Sequence, residues 1–322
     1  MKLIRLVFPF VIGLGLLYSQ TRPISTYSIV ALDEETGELG VAVQSHWFSV
    51  GSLVPWAKAG VGAVATQSFV KVDYGPQGLA LMEEGASAED ALIQLLNEDE
   101  NAEVRQVAMI DINGDVIVHT GEKCIFAAGH QTGNNYSVQA NLMENETVWP
   151  AMADAFEKAK GGLADRMLAA LEAAEAEGGD IRGRQSAAML IVTGTPTGIP
   201  WKDVVLELRI EDHPDPLGEL KRLIRIHGAY QHANQGDLYV EKGETELALK
   251  EYDKADKLYP ENPELPYWTA VTLADIGRVE ESLPLFKAAF AIDERWRILT
   301  PRLVNAGLLP DDKRMLELIM AQ

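Results

Sequence analysis

STYSIVALDEETGELGVAVQS, residues 25–45, is the stretch on which the fold turns. Two apolar runs, 27–32 and 39–43, flank a charged turn that contains Gly37, a pattern that predicts a β-hairpin with buried strands. Thr26 stands at the mouth of the first strand. That position raises a chemical question: if the chain is cut just before Thr26, one residue carries both a hydroxyl nucleophile and a free α-amine as its base. Without the cut, Thr26 is a β-branched residue that suits the start of a strand.

Working outward, the chain of 322 residues is long enough for a large domain plus a smaller one. Its net charge of −20 opposes nucleic acid and anionic membrane surfaces as partners, because phosphate-driven affinity needs a basic patch. Residues 1–20, MKLIRLVFPFVIGLGLLYSQ, place Lys2 and Arg5 ahead of an apolar run. They are read as a secretory signal peptide, so the protein is expected to be exported, periplasmic or secreted. Cys124 is the only cysteine and makes no intrachain disulfide, so the core must supply the stability.

After the opening hairpin, 52–57 and 61–67 read as a second hairpin, with small residues dominating its second strand. Helical patterns follow from Gly75 and after Ser87, a predicted N-cap. A third hairpin, 106–112 with 116–120, turns at Asn113 and Gly114. A glycine-rich polar segment, 129–143, precedes helices over 148–160 and 163–177. Strands are then predicted over 187–193 and 203–210, and a helix over 216–227. Hairpin-joined strands separated by helices predict α+β architecture with antiparallel sheets. From residue 228 onward the strand pattern ends. Gly243 and Gly277, Leu249 and Leu283, Tyr252 and Phe286, and Ala255 and Ala289 each lie 34 residues apart. That period is the tetratricopeptide signature, so 228–322 is read as two helical repeats plus a capping helix. Two repeats are few for independent stability, and they are expected to dock on the first domain, on a second copy as a homo-oligomer, or on a protein partner.

The opening hairpin, together with GSLVPWAKAGVGAVATQS at 51–68, YGPQGL at 74–79, GHQTGNNYSVQANLM at 129–143, RGRQSAAMLIV at 182–192 and DVVLELRIEDHPDP at 203–216, resembles an uncharacterised bacterial family placed among the N-terminal-nucleophile hydrolases. The resemblance covers residues 25–227. It implies a four-layer αββα antiparallel sandwich and amide-bond cleavage by a terminal Thr, Ser or Cys. Thr26 matches the nucleophile position. Gln44 and Ser45 stand where proteasome-like members end their second strand with an acidic residue. No lysine stands at the start of the third strand near Gly51 and Ser52, and Lys58 follows in the next turn.

Other polar residues are ranked by their position on the predicted strands. Asn141 ends a strand-like segment, where a side-chain amide could donate to an oxyanion. Gln67 and Ser68 close the small-residue strand and are candidates to line the same pocket. Asp180, Arg182, Arg184 and Ser186 occupy the loop entering a late strand, where they would support the terminal amine or bind substrate. The histidines show no metal-ligand spacing, and no phosphate loop or dinucleotide fingerprint appears, so neither metal nor cofactor is called for. The expected activity is therefore amide hydrolysis of a small-molecule or peptide substrate by Thr26 after processing. A catalytically inactive binding module with an interacting helical region is the alternative.

Overall fold

The computed structural model describes Ile24 and residues 26–322; the expected signal peptide lies outside the described residues. The chain forms β1 (Thr26–Leu32), β2 (Leu39–Ser45), β3 (Pro55–Lys58), β4 (Gly62–Ser68), α1 (Tyr74–Glu83) and α2 (Ala88–Asn97). Next come β5 (Arg105–Asp111), β6 (Val116–Thr120), β7 (Gly129–Gly133), β8 (Tyr136–Asn141), α3 (Val148–Lys158) and α4 (Leu163–Ala176). They are followed by β9 (Ser186–Val192), α5 (Pro200–Asp203), β10 (Val204–Ile210) and α6 (Pro216–Glu241). The remainder is helical: α7 (Thr245–Leu258), α8 (Glu264–Asp275), α9 (Val279–Ile292), α10 (Arg295–Leu299), α11 (Arg302–Asn305) and α12 (Lys313–Met320). The protein is thus mixed α+β.

Two antiparallel sheets organise the first part. One runs β10-β9-β2-β1-β8-β7 and the other β3-β4-β5-β6. In β1 and β2 every residue is buried, which happens only when both faces of a sheet are covered. Tyr27, Ile29 and Ala31 pack with Met152, Phe156, Leu168 and Leu171 of α3 and α4. Val30 and Leu32, which point the other way, pack with Val41, Val43, Ala63, Ala65, Ala108 and Ile110 between the sheets. The outer face of the second sheet, through Val64, Val107 and Met109, is covered by Leu79, Leu92 and Leu95 of α1 and α2. Small residues along β4 let the sheets approach. Ser87 caps α2 by accepting from the Asp90 N–H, as its position predicts.

Two elements differ from the sequence reading. The glycine-rich segment carries a full strand, β7, which pairs with β8 in register from Gly129↔Ala140 to Gly133↔Tyr136. Three of its five residues are exposed, and an edge strand with a polar outer face has no hydrophobic alternation to announce it. The helix predicted to stop near residue 227 continues unbroken to Glu241, about 39 Å in all, so α6 packs on the sheet at its start and on α7 at its end. Gly243 and Gly277, the pair spaced by 34 residues, both adopt positive φ (73° and 85°) directly after a helix, where only glycine fits without strain. Tyr267, Phe286 and Phe290 form the core between α8 and α9, with Trp268 and Trp296 packed at its edge.

Among the described residues no helix is long and apolar enough to cross a membrane. Asp256 on α7 has a buried carboxylate oxygen with no hydrogen-bond partner. Burial, reinforced by the charge of Asp253, pushes its pKa up to about 6. Because the folded value lies above that of an unfolded aspartate, stability falls as pH rises from about 4 to about 6 and stays lowered above that. Asp256→Asn should therefore raise the thermal midpoint near pH 7.5 and leave it little changed near pH 4, read by calorimetry at the two pH values.

Candidate functional site

Strand alternation splits the space between the sheets into two ends. At one end it is filled by the aliphatic residues just described. At the other, where β1 begins and β2, β4 and β8 end, the inward positions are occupied by Thr26, Ser28, Ser45, Gln67, Gln106, Ser137, Gln139 and Asn141, all of them buried. These side chains are uncharged. An amide or hydroxyl buried here costs about 1–3 kcal/mol if left unpaired, so the cluster must satisfy itself internally.

It does so across the sheets. Ser28 Oγ donates to Gln67 Oε1 at 2.7 Å, and Gln139 Nε2 donates to Ser28 Oγ at 2.6 Å. Gln67 Nε2 donates to Gln106 Oε1 at 2.6 Å and lies 3.3 Å from the Thr26 carbonyl oxygen. Asn141 Nδ2 donates to Gln106 Oε1 at 3.0 Å and lies 3.5 Å from the same Thr26 oxygen. Gln106 Nε2 in turn reaches Thr120 Oγ1 at 2.9 Å and the Ala140 carbonyl at 2.9 Å. Thr120 Oγ1 meets His130 Nδ1 at 2.8 Å, where the network ends at the surface.

Thr26 sits on top of this network. Its Oγ1 donates to the Ile24 carbonyl at 2.9 Å and is 3.3 Å from Ser45 Oγ. Ile24 forms a two-way bridge with Ser68: its N–H donates to the Ser68 carbonyl at 2.7 Å and its carbonyl accepts from the Ser68 N–H at 3.1 Å. Ser68 reaches this geometry with φ at 69°, an uncommon value for a residue with a side chain. Below it, Arg105 donates to the Phe69 carbonyl and pairs with Asp99 at 2.9 Å. Burial alone would raise the Asp99 carboxyl, but hydrogen bonds from Arg105, the Asn101 N–H and Tyr74 hold it below the usual range.

The structure therefore brings Thr26, Ser45, Gln67, Ser68 and Asn141 together. Asp180 and Ser186 stand one layer out. The Asp180 carboxylate accepts from the His46 N–H at 3.0 Å and from Arg182, clamping the chain just past Ser45. Ser186 pairs with Ser45 across β2 and β9, and its Oγ accepts from the Val50 N–H at 3.2 Å while donating to the Trp47 carbonyl. Arg184 and Gln44 point elsewhere. Arg184 pairs with Glu175, which also accepts from the Tyr27 phenol at 2.6 Å on the helical side of the sheet. Gln44 shares that side with Ala42, opposite to Ser45, and among the described residues both polar atoms of its buried amide lack partners. Lys58 ends β3 and pairs with Glu83, and its strand partner Gly62 lies at the end of β4 away from Gln67.

Sequence reasoning missed Ser28, Gln106, Ser137, Gln139 and Thr120. The signal was present: in strands buried on both faces, polar residues recurring at every second position mark one inward patch. Cys124, on the loop leading to β7, donates to the Arg105 carbonyl at 3.3 Å, and burial pushes its thiol up, opposed by the Ser68 hydroxyl. Among the described residues no group of three or more His, Cys, Asp or Glu is arranged to hold a metal. Gln106→Ala removes the acceptor shared by Gln67 and Asn141 and should cost about 2–4 kcal/mol. Urea unfolding should show this as a lower midpoint with an unchanged slope.

No functionally curated protein matches the chain. The crystal structure of protein SPO2555 from Silicibacter pomeroyi, a DUF1028 protein, is similar at 31% identity and a TM-score of 0.56, covering 62% of this chain and 85% of that one. The ancestral β-subunit Anbu from Yersinia bercovieri aligns at 15% identity and a TM-score of 0.31, over 61% of this chain and 91% of that one, too low to carry an argument. The model of DUF1028, a family of unknown function, matches residues 26–220, and the chain belongs to that family.

Proposed function

We propose that this protein is an amide-bond hydrolase of the N-terminal-nucleophile type, with Thr26 as the nucleophile once the chain is cleaved before it. The observation that carries the reading is the Thr26 hydroxyl, buried between two sheets and held by Ile24 and Ser45 while Gln67 and Asn141 approach its carbonyl. Helices, sheet, sheet and helices stacked in that order support it, as does a family match that starts at Thr26. Ser25, on the other side of the bond to be cut, lies outside the described residues.

In this reading, cleavage of the Ser25–Thr26 peptide bond frees the α-amine and removes the Ile24 strand from Ser68, uncovering a hydroxyl that is otherwise fully buried. The amine takes the proton from Oγ1 as it attacks the substrate carbonyl and passes it to the substrate amine as the C–N bond breaks; water then hydrolyses the ester left on Oγ1, releasing the carboxylic acid and restoring the hydroxyl. Among the described residues the groups that hydrogen-bond to Thr26 are uncharged, a departure from the acid and lysine of proteasome-like members. Asn141, whose amide is already directed to Gln106 and Thr26, serves as a positioning residue more readily than as an oxyanion donor. Phe48, Phe126 and Ile181 stand exposed on loops at this end of the sheets and suit an amide substrate with an apolar group. Residues 228–322, from the second half of α6 onward, are read as a tetratricopeptide pair with a capping helix that holds a partner or a second copy, and the whole as an exported protein.

Intact-mass analysis of protein exported by its native host should give a chain beginning at Thr26. A homogeneous terminus at Gln20 or Thr21 would overturn the mechanism. On processed protein, Thr26→Ala should abolish labelling by a β-lactone probe and Thr26→Ser should retain it. Labelling should rise with pH through a single ionisation, that of an α-amine with an ordinary value of about 8, as it loses its proton to become a base. Labelling that survives Thr26→Ala would point to a nucleophile other than Thr26, and absence of labelling on processed protein would favour the inactive binding module.

A further inference from the structure

The C-terminal half of α6 has a different chemistry from its first half. Lys221, Arg222 and Arg225 near the sheet are each paired, with Glu172, Glu219 and Glu261. One to four turns further on, α6, α7 and α8 enclose a cavity of about 190 Å³ whose walls include Tyr230, Asp237, Tyr252, Glu264 and Trp268, and no lysine or arginine. That volume exceeds the roughly 30 Å³ taken by one water in the liquid, so a small organic group can enter.

Each carboxylate in the cavity is held by a phenol. Tyr252 Oη donates to Asp237 Oδ1 at 2.7 Å, and Tyr230 Oη donates to Glu264 Oε2 at 2.6 Å while accepting from Asn262 Nδ2 at 3.0 Å. Both phenols are pushed above their ordinary values, Tyr252 chiefly by burial and Tyr230 chiefly by its bond to Glu264, so they remain donors. Among the described residues neither carboxylate has an ion-pair partner, unlike the paired acids along the first half of α6. Two fixed carboxylates in a wall of aromatic rings repel anions. Asp237 is exposed and Glu264 half-buried, so water still solvates both, and a neutral ligand would gain no attraction from their charge. A compact organic cation satisfies both kinds of wall, with N–H donors to the carboxylates, methylenes against the rings, and attraction between its charge and the indole.

We propose that the cavity between α6, α7 and α8 is a binding site for an alkylammonium group, held by Asp237 and Glu264 and walled by Tyr230, Tyr252 and Trp268. The group can belong to a free amine or to a lysine side chain of a polypeptide. The site is independent of the chemistry at Thr26.

The test is isothermal titration of the full chain with n-butylammonium chloride and, separately, with n-butanol, its neutral counterpart. Saturable binding of n-butylammonium at one site per chain is expected, with n-butanol about tenfold weaker or more. Asp237→Asn and Glu264→Gln, which keep the acceptors for the two phenols, should each weaken n-butylammonium about tenfold at unchanged circular dichroism. A peptide with a single lysine distinguishes the sources. Tighter binding than the free amine assigns the site to a protein partner, and equal or weaker binding assigns it to a small amine. Absence of saturation, equal binding of n-butanol, or unchanged binding by both Asp237→Asn and Glu264→Gln would overturn the proposal. The comparison of the two ligands needs no variant and holds even if a substitution unfolds the helices.

Discussion

A neutral hydrogen-bond network joins the two sheets at the end where β1 begins, and the arrangement around Thr26 depends on it. Its centre is Gln106, whose one carbonyl oxygen accepts from both Gln67 and Asn141. Those two amides approach the backbone carbonyl of Thr26 from different sheets. A charge in place of any of these groups would need a buried counter-ion and its desolvation cost. Amides and hydroxyls avoid that cost, provided each finds a partner, and such a network orders the strands that carry it.

Once that end is locked, the surrounding loops acquire defined positions. Asp180 holds the chain beyond Ser45 through the His46 N–H, Ser186 ties the same loop through Trp47 and Val50, and Arg105 anchors Phe69 beside the strained Ser68. Ile24 takes its place against Ser68 and covers Thr26. The other end of the inter-sheet space is aliphatic and supplies hydrophobic stabilisation without directional demands. One layer thus provides stability at one end and geometry at the other. The long α6 carries the sheet's order outward to the remaining helices, since its start packs on β9 and β10 and its end on α7.

Much of this was legible in the chain because local rules were obeyed. The first hairpin pairs in the register its turn implies, Thr26 with Ser45 and Leu32 with Leu39, and the Asn113–Gly114 turn joins β5 to β6. Thr26, Gln67 and Asn141 converge because each stands at a strand end, and Ser45, singled out through the family resemblance, pairs with Thr26 across the hairpin. Gln44 shows the limit. It neighbours Ser45 in sequence, yet successive residues of a strand face opposite sides, so it points into the helical layer. Arg184 departs for a similar reason, drawn to Glu175 rather than toward Thr26. β7 escaped notice because an edge strand with an exposed polar face lacks the alternation that marks a half-buried one.

The sequence by itself determined most of the strands and helices, β7 and the full length of α6 excepted, the antiparallel pairing of the hairpins, and the placing of Thr26 at the head of β1. These properties depend on residues near one another in the chain, through periodicity, turn chemistry and capping. Only the tertiary structure decided that Gln106, Gln139 and Ser28 stand beneath Thr26, that α6 runs unbroken from the sheet to the helical region, and that Asp237 and Glu264 face one cavity. Those outcomes depend on contacts between residues tens to more than a hundred positions apart, and a periodic pattern specifies a face without naming what will be packed against it.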